Sequence, residues 1–187
     1  MYIENQTFEN QDYSENHLPI WEYENCIFKE CNFSHSSLSH VQFIDCEFQS
    51  CNLTMVQTFA TKFQNIHFIE SKLLWVDFKN CNEFLFEVRF TKSNLELASF
   101  SGMKIKNTIF DACELKEVNF TGADCSWACF SYSQLDRAIF QRTKLENADF
   151  QNAYNYTIDP EENSMTHAQF SLEWIPGLLT KYNITIY

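Results

Sequence analysis

Along this 187-residue chain a large apolar residue returns at every fifth position. From Tyr23 the series runs Phe28, Phe33, Leu38, Phe43, Phe48, Leu53, Thr58, Phe63, Phe68, Leu73 and Phe78. It slips by two residues inside FKNCNEFLFEVRF (78–90). It then resumes as Leu85, Phe90, Leu95, Phe100, Ile105, Phe110, Leu115, Phe120, Cys125, Phe130, Leu135, Phe140, Leu145 and Phe150. Two positions before most centres stands a smaller residue, such as Cys26, Ser36, Cys51, Ala98, Cys113 or Ala148. The other three positions of each five are mostly polar. A helix repeats its apolar face every 3.6 residues and a strand every 2, so neither element explains a strict five.

A second period lies on the first. Centres 20 apart carry like residues: Phe90, Phe110, Phe130 and Phe150, for instance, or Leu95, Leu115 and Leu135. Like residues at a fixed interval are expected to stack, so four fives make one coil and each five one side. Coils pairing as parallel strands would lie about 4.8 Å apart. The centre and the small residue two before it are expected to face inward. At the slip the next centre would be Glu83, a charge that cannot enter an apolar core unpaired. Recentring on Leu85 is expected to put that charge outside and form a bulge at one corner.

The pattern resembles the pentapeptide repeat proteins, as in CysAsnPheSer (31–34), ThrGlyAlaAspCys (121–125) and AlaAspPheGln (148–151). The resemblance covers roughly residues 20 to 152. It implies an all-β fold, a right-handed four-sided parallel β-helix. From Phe8 to Phe150 there would be about seven coils, a rod of roughly 34 Å. The expected organisation is an N-terminal cap with irregular repeats (1–22), a first repeat block (23–78), the slip (79–89), a second block (90–152) and a C-terminal segment (153–187). In that last segment SLEWIPGLLTKY reads as a short helix, started by Ser171 or by Pro176 in its first turn, and Ile184 to Tyr187 as a strand.

Composition narrows function. Six of the eight cysteines hold the small inward position and Cys125 holds a centre, where Cys serves as a small hydrophobe. Cys26 and Cys46 would stack within disulfide reach, but no export signal is visible. A cytoplasmic protein with reduced thiols is expected. The spacing lacks the tight C-x2-C turn of zinc sites, the histidines are scattered, and only Gly102, Gly122 and Gly177 exist to build a phosphate loop. No metal, no cofactor and no catalytic residue is expected, and no apolar run is long enough for a membrane span.

Charge remains. The chain carries 13 Lys+Arg against 25 Asp+Glu, net −12, which disfavours direct nucleic-acid binding. Residues 1–60 hold 9 acids and 1 base, residues 61–110 hold 5 acids and 7 bases, and residues 111–187 hold 11 acids and 5 bases. The outward acids Asp111, Glu114, Glu117, Asp124, Asp136, Glu146 and Asp149 either keep the rod soluble or present a line of negative charge as duplex DNA does. Trp174, Leu178, Leu179, Ile184 and Ile186 either cap the last coil or form a two-fold contact. Here the chain resembles the quinolone-resistance and microcin-immunity branch of the family. That likeness implies a tail-to-tail homodimer that mimics DNA and binds DNA gyrase or topoisomerase IV, protecting it from poisons. Unlike many members of that branch, this chain has no long loop. The alternative is a scaffold for an unrelated protein, displaying Trp75, Trp127 and Tyr132 unless these stack on neighbouring coils.

Overall fold

The structure is a computed structural model and describes residues 1–186. Every strand is short because every side of the coil is short. One side stacks β1 (Tyr2–Glu4), β3 (Glu22–Glu24), β5 (Gln42–Ile44) and β7 (Lys62–Gln64) in parallel. The next stacks β2 (Thr7–Glu9), β4 (Ile27–Lys29), β6 (Glu47–Gln49), β8 (Ile66–Ile69), β9 (Val88–Thr91) and β10 (Ile109–Asp111). Further along, β11 (Asp149–Phe150) pairs with β12 (Gln169–Phe170). The other two sides are held by single parallel bridges such as Asn32↔Asn52 and Ser99↔Asn119. Partners are 20 residues apart, as in Phe28↔Phe48, and 22 apart across the slip, as in Phe68↔Phe90.

The corners have a local cause. The second residue after nearly every centre is left-handed, for example Asn25 (φ 50), Asn65 (φ 52) and Asn147 (φ 59), with Gly102 and Gly122 serving the same role. Asn tolerates this region better than most residues, and Gly adopts it without cost. Just before many centres stands Asn or Asp, whose side-chain oxygen accepts the N–H two residues on. Asn32 does so for Ser34 at 3.1 Å, Asn94 for Glu96 at 2.9 Å and Asn119 for Thr121 at 2.9 Å. A short polar side chain therefore satisfies a backbone donor at the turn.

Inside, the two-period pattern becomes a packed aromatic column. Phe90, Phe110, Phe130 and Phe150 stack with nearly parallel rings at 4.6–5.3 Å. Phe100, Phe120 and Phe140 stack on the opposite side at 5.0–5.6 Å. The two columns meet edge to face at the axis, with interplanar angles of 74–85°. Both geometries satisfy the ring quadrupole. The small inward residues do more than fill space. The Ser71 hydroxyl donates to the Phe48 carbonyl at 3.0 Å and accepts the Cys51 N–H at 3.0 Å. Ser133 repeats this with Phe110 and Cys113, and the Cys46 thiol does so with Tyr23 and Cys26. Cys and Ser are thus bridges between coils as well as small side chains. All eight cysteines are free thiols. Burial pushes Cys46, Cys81 and Cys113 up to about 12.

The slip departs from expectation. Glu83 is outside, as its charge requires, but Leu85 does not replace it in the core. Leu85 is 54% exposed and sits at a left-handed corner (φ 57). Phe86 turns back instead and packs edge-on to Phe63 and Phe78 at 6.4 and 6.2 Å. The corner keeps its place after Asn82, so the two extra residues fall behind it, and only a side chain behind the corner can refill the vacated slot. The ladder of β1, β3, β5 and β7 stops here.

The ends close the stack in different ways, and the C-terminal one differs from the sequence reading. The first coil begins at β1 and β2, with Ile3, Phe8 and Tyr13 half-buried against the core and Leu18 buried. At the other end the regular fives stop after Phe150, but the coil does not. Ala153, Tyr156, Ile158 and Asn163 are buried, and Phe170 stacks on Phe150 at 5.1 Å. The C-terminal helix is two short 3-10 turns, Ile175–Leu178 and Thr180–Tyr182. Pro176 lies in the first of them, and Ser171 Oγ accepts the Trp174 N–H at 3.4 Å ahead of it. Residues 184–186 form no strand, and Tyr187 lies outside the described residues. Gly177 is required by a close approach: its carbonyl accepts the Ile158 N–H at 3.1 Å, and a Cβ there would meet the Tyr156 carbonyl oxygen at 2.1 Å.

Candidate interaction surfaces

The seven acids singled out from sequence do not form one strip. Asp111 and Asp149 belong to the side of β10 and β11, Glu114, Glu117 and Asp136 to the next side, and Asp124 and Glu146 to the side that carries β1. Most are engaged. Asp124 accepts the Ser126 hydroxyl at 2.6 Å and N–H at 3.3 Å, with Lys106 at 3.4 Å and Lys144 at 3.9 Å. Burial alone would raise its pKa, but those hydrogen bonds and Lys106 outweigh it and hold the carboxyl below its ordinary value. Glu117 and Asp136 share Arg137 at 3.1 and 3.3 Å. Glu146 accepts from Ser126, and Asp149 accepts the Gln151 N–H at 2.8 Å, the same turn-forming role Asn plays elsewhere. Of the seven, Glu114 alone is exposed, the others being half-buried.

The less compensated acidic surface lies at the other end. Among the described residues, the one ion pair in the first three coils joins Lys29 to Glu9 at 2.7 Å. Glu4, Glu22, Glu24 and Asp45 line the β1–β3–β5 side and its corner, and Glu30 and Glu47 lie on the adjoining side. The carboxylates of Glu4 and Glu24 stack one coil apart and share the single proton of the Tyr2 hydroxyl, each at 2.6 Å from its oxygen. Those two hydrogen bonds push the Tyr2 hydroxyl pKa up. A shallow polar groove of about 550 Å³ follows the corner past Tyr2, Glu4, Asn25, Asp45 and Asn65. The sequence signal for this surface was present: nine acids against one base in residues 1–60.

At the C-terminus the five predicted contact residues divide. Trp174 and Leu178 pack on the core and close the last coil. Leu179, Ile184 and Ile186 border an open groove of about 440 Å³, and Leu172 beyond it is 88% exposed. Lys181 ties this segment to the preceding turn through Asp159 at 2.7 Å and Glu161 at 2.6 Å. Trp75, Trp127 and Tyr132 all stand exposed at left-handed corners. Among the described residues, no cluster of three or more His, Cys, Asp or Glu side chains is arranged to hold a metal, and no helix is long and apolar enough to cross a membrane.

Two family profiles match the chain: "Pentapeptide repeats (8 copies)" over residues 24–57 and "Pentapeptide repeat region" over residues 76–150. No curated protein sequence matches it. Among solved structures, two trypsin-treated variants of QnrB1, a plasmid-mediated fluoroquinolone resistance protein, superpose on it. The first does so with a TM-score of 0.65 at 17% identity, the second with 0.65 at 16%, each covering 100% of both chains. At such identity the likeness establishes the parallel β-solenoid fold.

Proposed function

We propose that this chain, which belongs to the pentapeptide repeat family, is a non-enzymatic binding protein that docks its acidic surface on the DNA-binding surface of a type II topoisomerase. In this reading it shields DNA gyrase or topoisomerase IV from poisons, or modulates the enzyme. The supporting observation is charge density. Three coils span about 14 Å, so the net −8 of residues 1–60 amounts to one charge per about 1.8 Å. Duplex DNA carries one per about 1.7 Å. The fold shared with a fluoroquinolone resistance protein is consistent with this reading. The C-terminal acids Asp111, Glu114, Glu117, Asp124, Asp136, Glu146 and Asp149 contribute less, because bases or turns engage most of them. Leu179, Ile184 and Ile186 then serve a tail-to-tail homodimer, with Trp174 and Leu178 as its support, which sets the two acidic ends outermost.

A supercoiling assay with purified gyrase tests this. Inhibition, or rescue from a quinolone, at low micromolar protein is expected, weakening as salt rises. The triple variant Glu4→Lys, Glu24→Lys, Asp45→Lys should lose about tenfold or more in potency. Glu117→Lys with Asp136→Lys should lose less. No effect of the wild type at large excess would reject the topoisomerase reading. For the dimer, Leu179→Asp with Ile184→Asp should sediment as monomer; a monomeric wild type would end that part. Exposed Trp75, Trp127 and Tyr132 favour the second reading, a scaffold for an unrelated protein, and it would stand if gyrase were untouched.

A further inference from the structure

The slip leaves a strand edge open in the middle of the rod. Downstream on this side every coil is bonded to the next: Asp124 N–H to the Met103 carbonyl at 2.8 Å, Ile105 N–H to the Asp124 carbonyl at 2.9 Å, and Asn107 N–H to the Ser126 carbonyl at 3.1 Å. The upstream edge of the same segment is different. Among the described residues, the Lys104 N–H and the Lys104 and Lys106 carbonyls have no backbone partner, because the chain at 82–86 turns away. Beside this edge lies a groove of about 450 Å³ between Leu85–Arg89 and Lys106–Ile109. Its apolar lining includes Leu85, 54% exposed, and Ile109, 39% exposed. Its lining carries two bases, Arg89 and Lys106, the latter paired with Asp124, against one carboxylate, Glu87. On the adjoining edge Lys104 is exposed, and neither it nor Arg89 carries an ion pair among the described residues. Of the three blocks 1–60, 61–110 and 111–187, only 61–110 has more bases than acids.

We propose that this groove receives an extended acidic segment of a partner protein, added as a short strand to the Lys104–Lys106 edge. An open edge supplies main-chain donors and acceptors, while alternate side chains of the incoming strand supply specificity. One face of the segment sets carboxylates toward Arg89 and Lys104. The other rests an aliphatic side chain on Leu85 and Ile109. Charge complementarity singles out an acidic occupant over a basic one. The site is independent of the topoisomerase reading, since it uses the opposite charge and a different part of the rod.

The probe is a fluorescein-labelled octapeptide of alternating glutamate and valine, followed by anisotropy at low salt. Saturable binding is expected, with slowed amide exchange at Lys104. The double variant Arg89→Glu, Lys104→Glu should weaken it about tenfold or more, and a lysine–valine octapeptide should not bind. A ladder-repaired chain, with Phe86 and Glu87 deleted and Glu83→Leu, restores an unbroken count of fives. It should fold and lose the peptide. Glu4→Lys with Glu24→Lys should leave binding unchanged, separating this groove from the N-terminal surface. Failure of the acidic peptide to bind, equal binding of the lysine peptide, or undiminished binding by the repaired chain would overturn the proposal. So would self-association that the peptide competes and that Leu179→Asp with Ile184→Asp leaves intact, since the occupant would then be a second copy docking by its acidic end.

Discussion

The first three coils and the last three are built alike yet present charge differently. Both are acidic by count: nine acids with one base in residues 1–60, eleven with five in residues 111–187. In the later coils, stacked positions alternate in sign. Lys104, Asp124 and Lys144 lie in one bridged column, Lys116 meets Glu96 at 3.0 Å one coil away, and Arg137 meets Glu117. In the first coils Glu4 stacks on Glu24 with only a tyrosine hydroxyl between them. Neighbours in a solenoid are 20 residues apart, so the sign of that neighbour, more than the net charge of the block, decides how much field reaches a partner. At about 4.8 Å an opposite charge nearly cancels its neighbour, whereas a like charge adds to it.

The comparison can be broken first in the core, where both ends should behave alike. Phe28→Ala and Phe130→Ala each remove a fully buried ring from a stacked column. Each should cost about 3–5 kcal/mol, read by denaturant unfolding. Unequal losses would mean that the two ends are packed to different standards. At the surface the ends should part. Asp124→Ala strips a mostly buried acceptor from Ser126 and two lysines, for a loss of about 1–3 kcal/mol. Because the folded-state pKa of Asp124 is depressed, its contribution is present above the ordinary carboxyl value near 3.9 and is lost as pH falls through the lower, folded value. Asp124→Asn should therefore flatten the stability profile in that acid window.

A smaller effect tests the corners. Gly102 is left-handed (φ 75) with nothing within 4 Å of a built Cβ, so Gly102→Ala should cost about 1 kcal/mol from the backbone alone. The smallest belongs to the N-terminal surface. Glu24→Gln keeps an acceptor for Tyr2 but removes a like charge from Glu4. It should stabilise β1 and β3 by a few tenths of a kcal/mol at low salt, seen as slower amide exchange there and erased by added salt.

Much of this was legible in the chain. The fives and twenties told which residues face inward, and Phe28, Cys51, Leu95 and Phe120 are all buried as the count requires. The unpaired acids of the N-terminal coils were legible too, once residues 20 apart are read as neighbours. The acids near the C-terminus were misleading for the same reason: Asp124 and Asp149 look like displayed charge, but their place just before a centre makes them turn-formers.

The repeat by itself determined the solenoid, its stacking interval, the aromatic columns and the left-handed corners, because each depends on a local unit copied along the chain. Where the copying fails, tertiary packing decided. Phe86 rather than Leu85 refills the core at the slip, since the residue that can reach a vacated slot depends on where the corner falls. Tyr156 and Phe170 close an eighth coil that the fives do not announce, because a stack ends only when its last apolar face is covered. The open edge at Lys104 likewise exists only in three dimensions: it is the absence of a bond between segments some 20 residues apart, made by a chain that had to turn a glutamate outward.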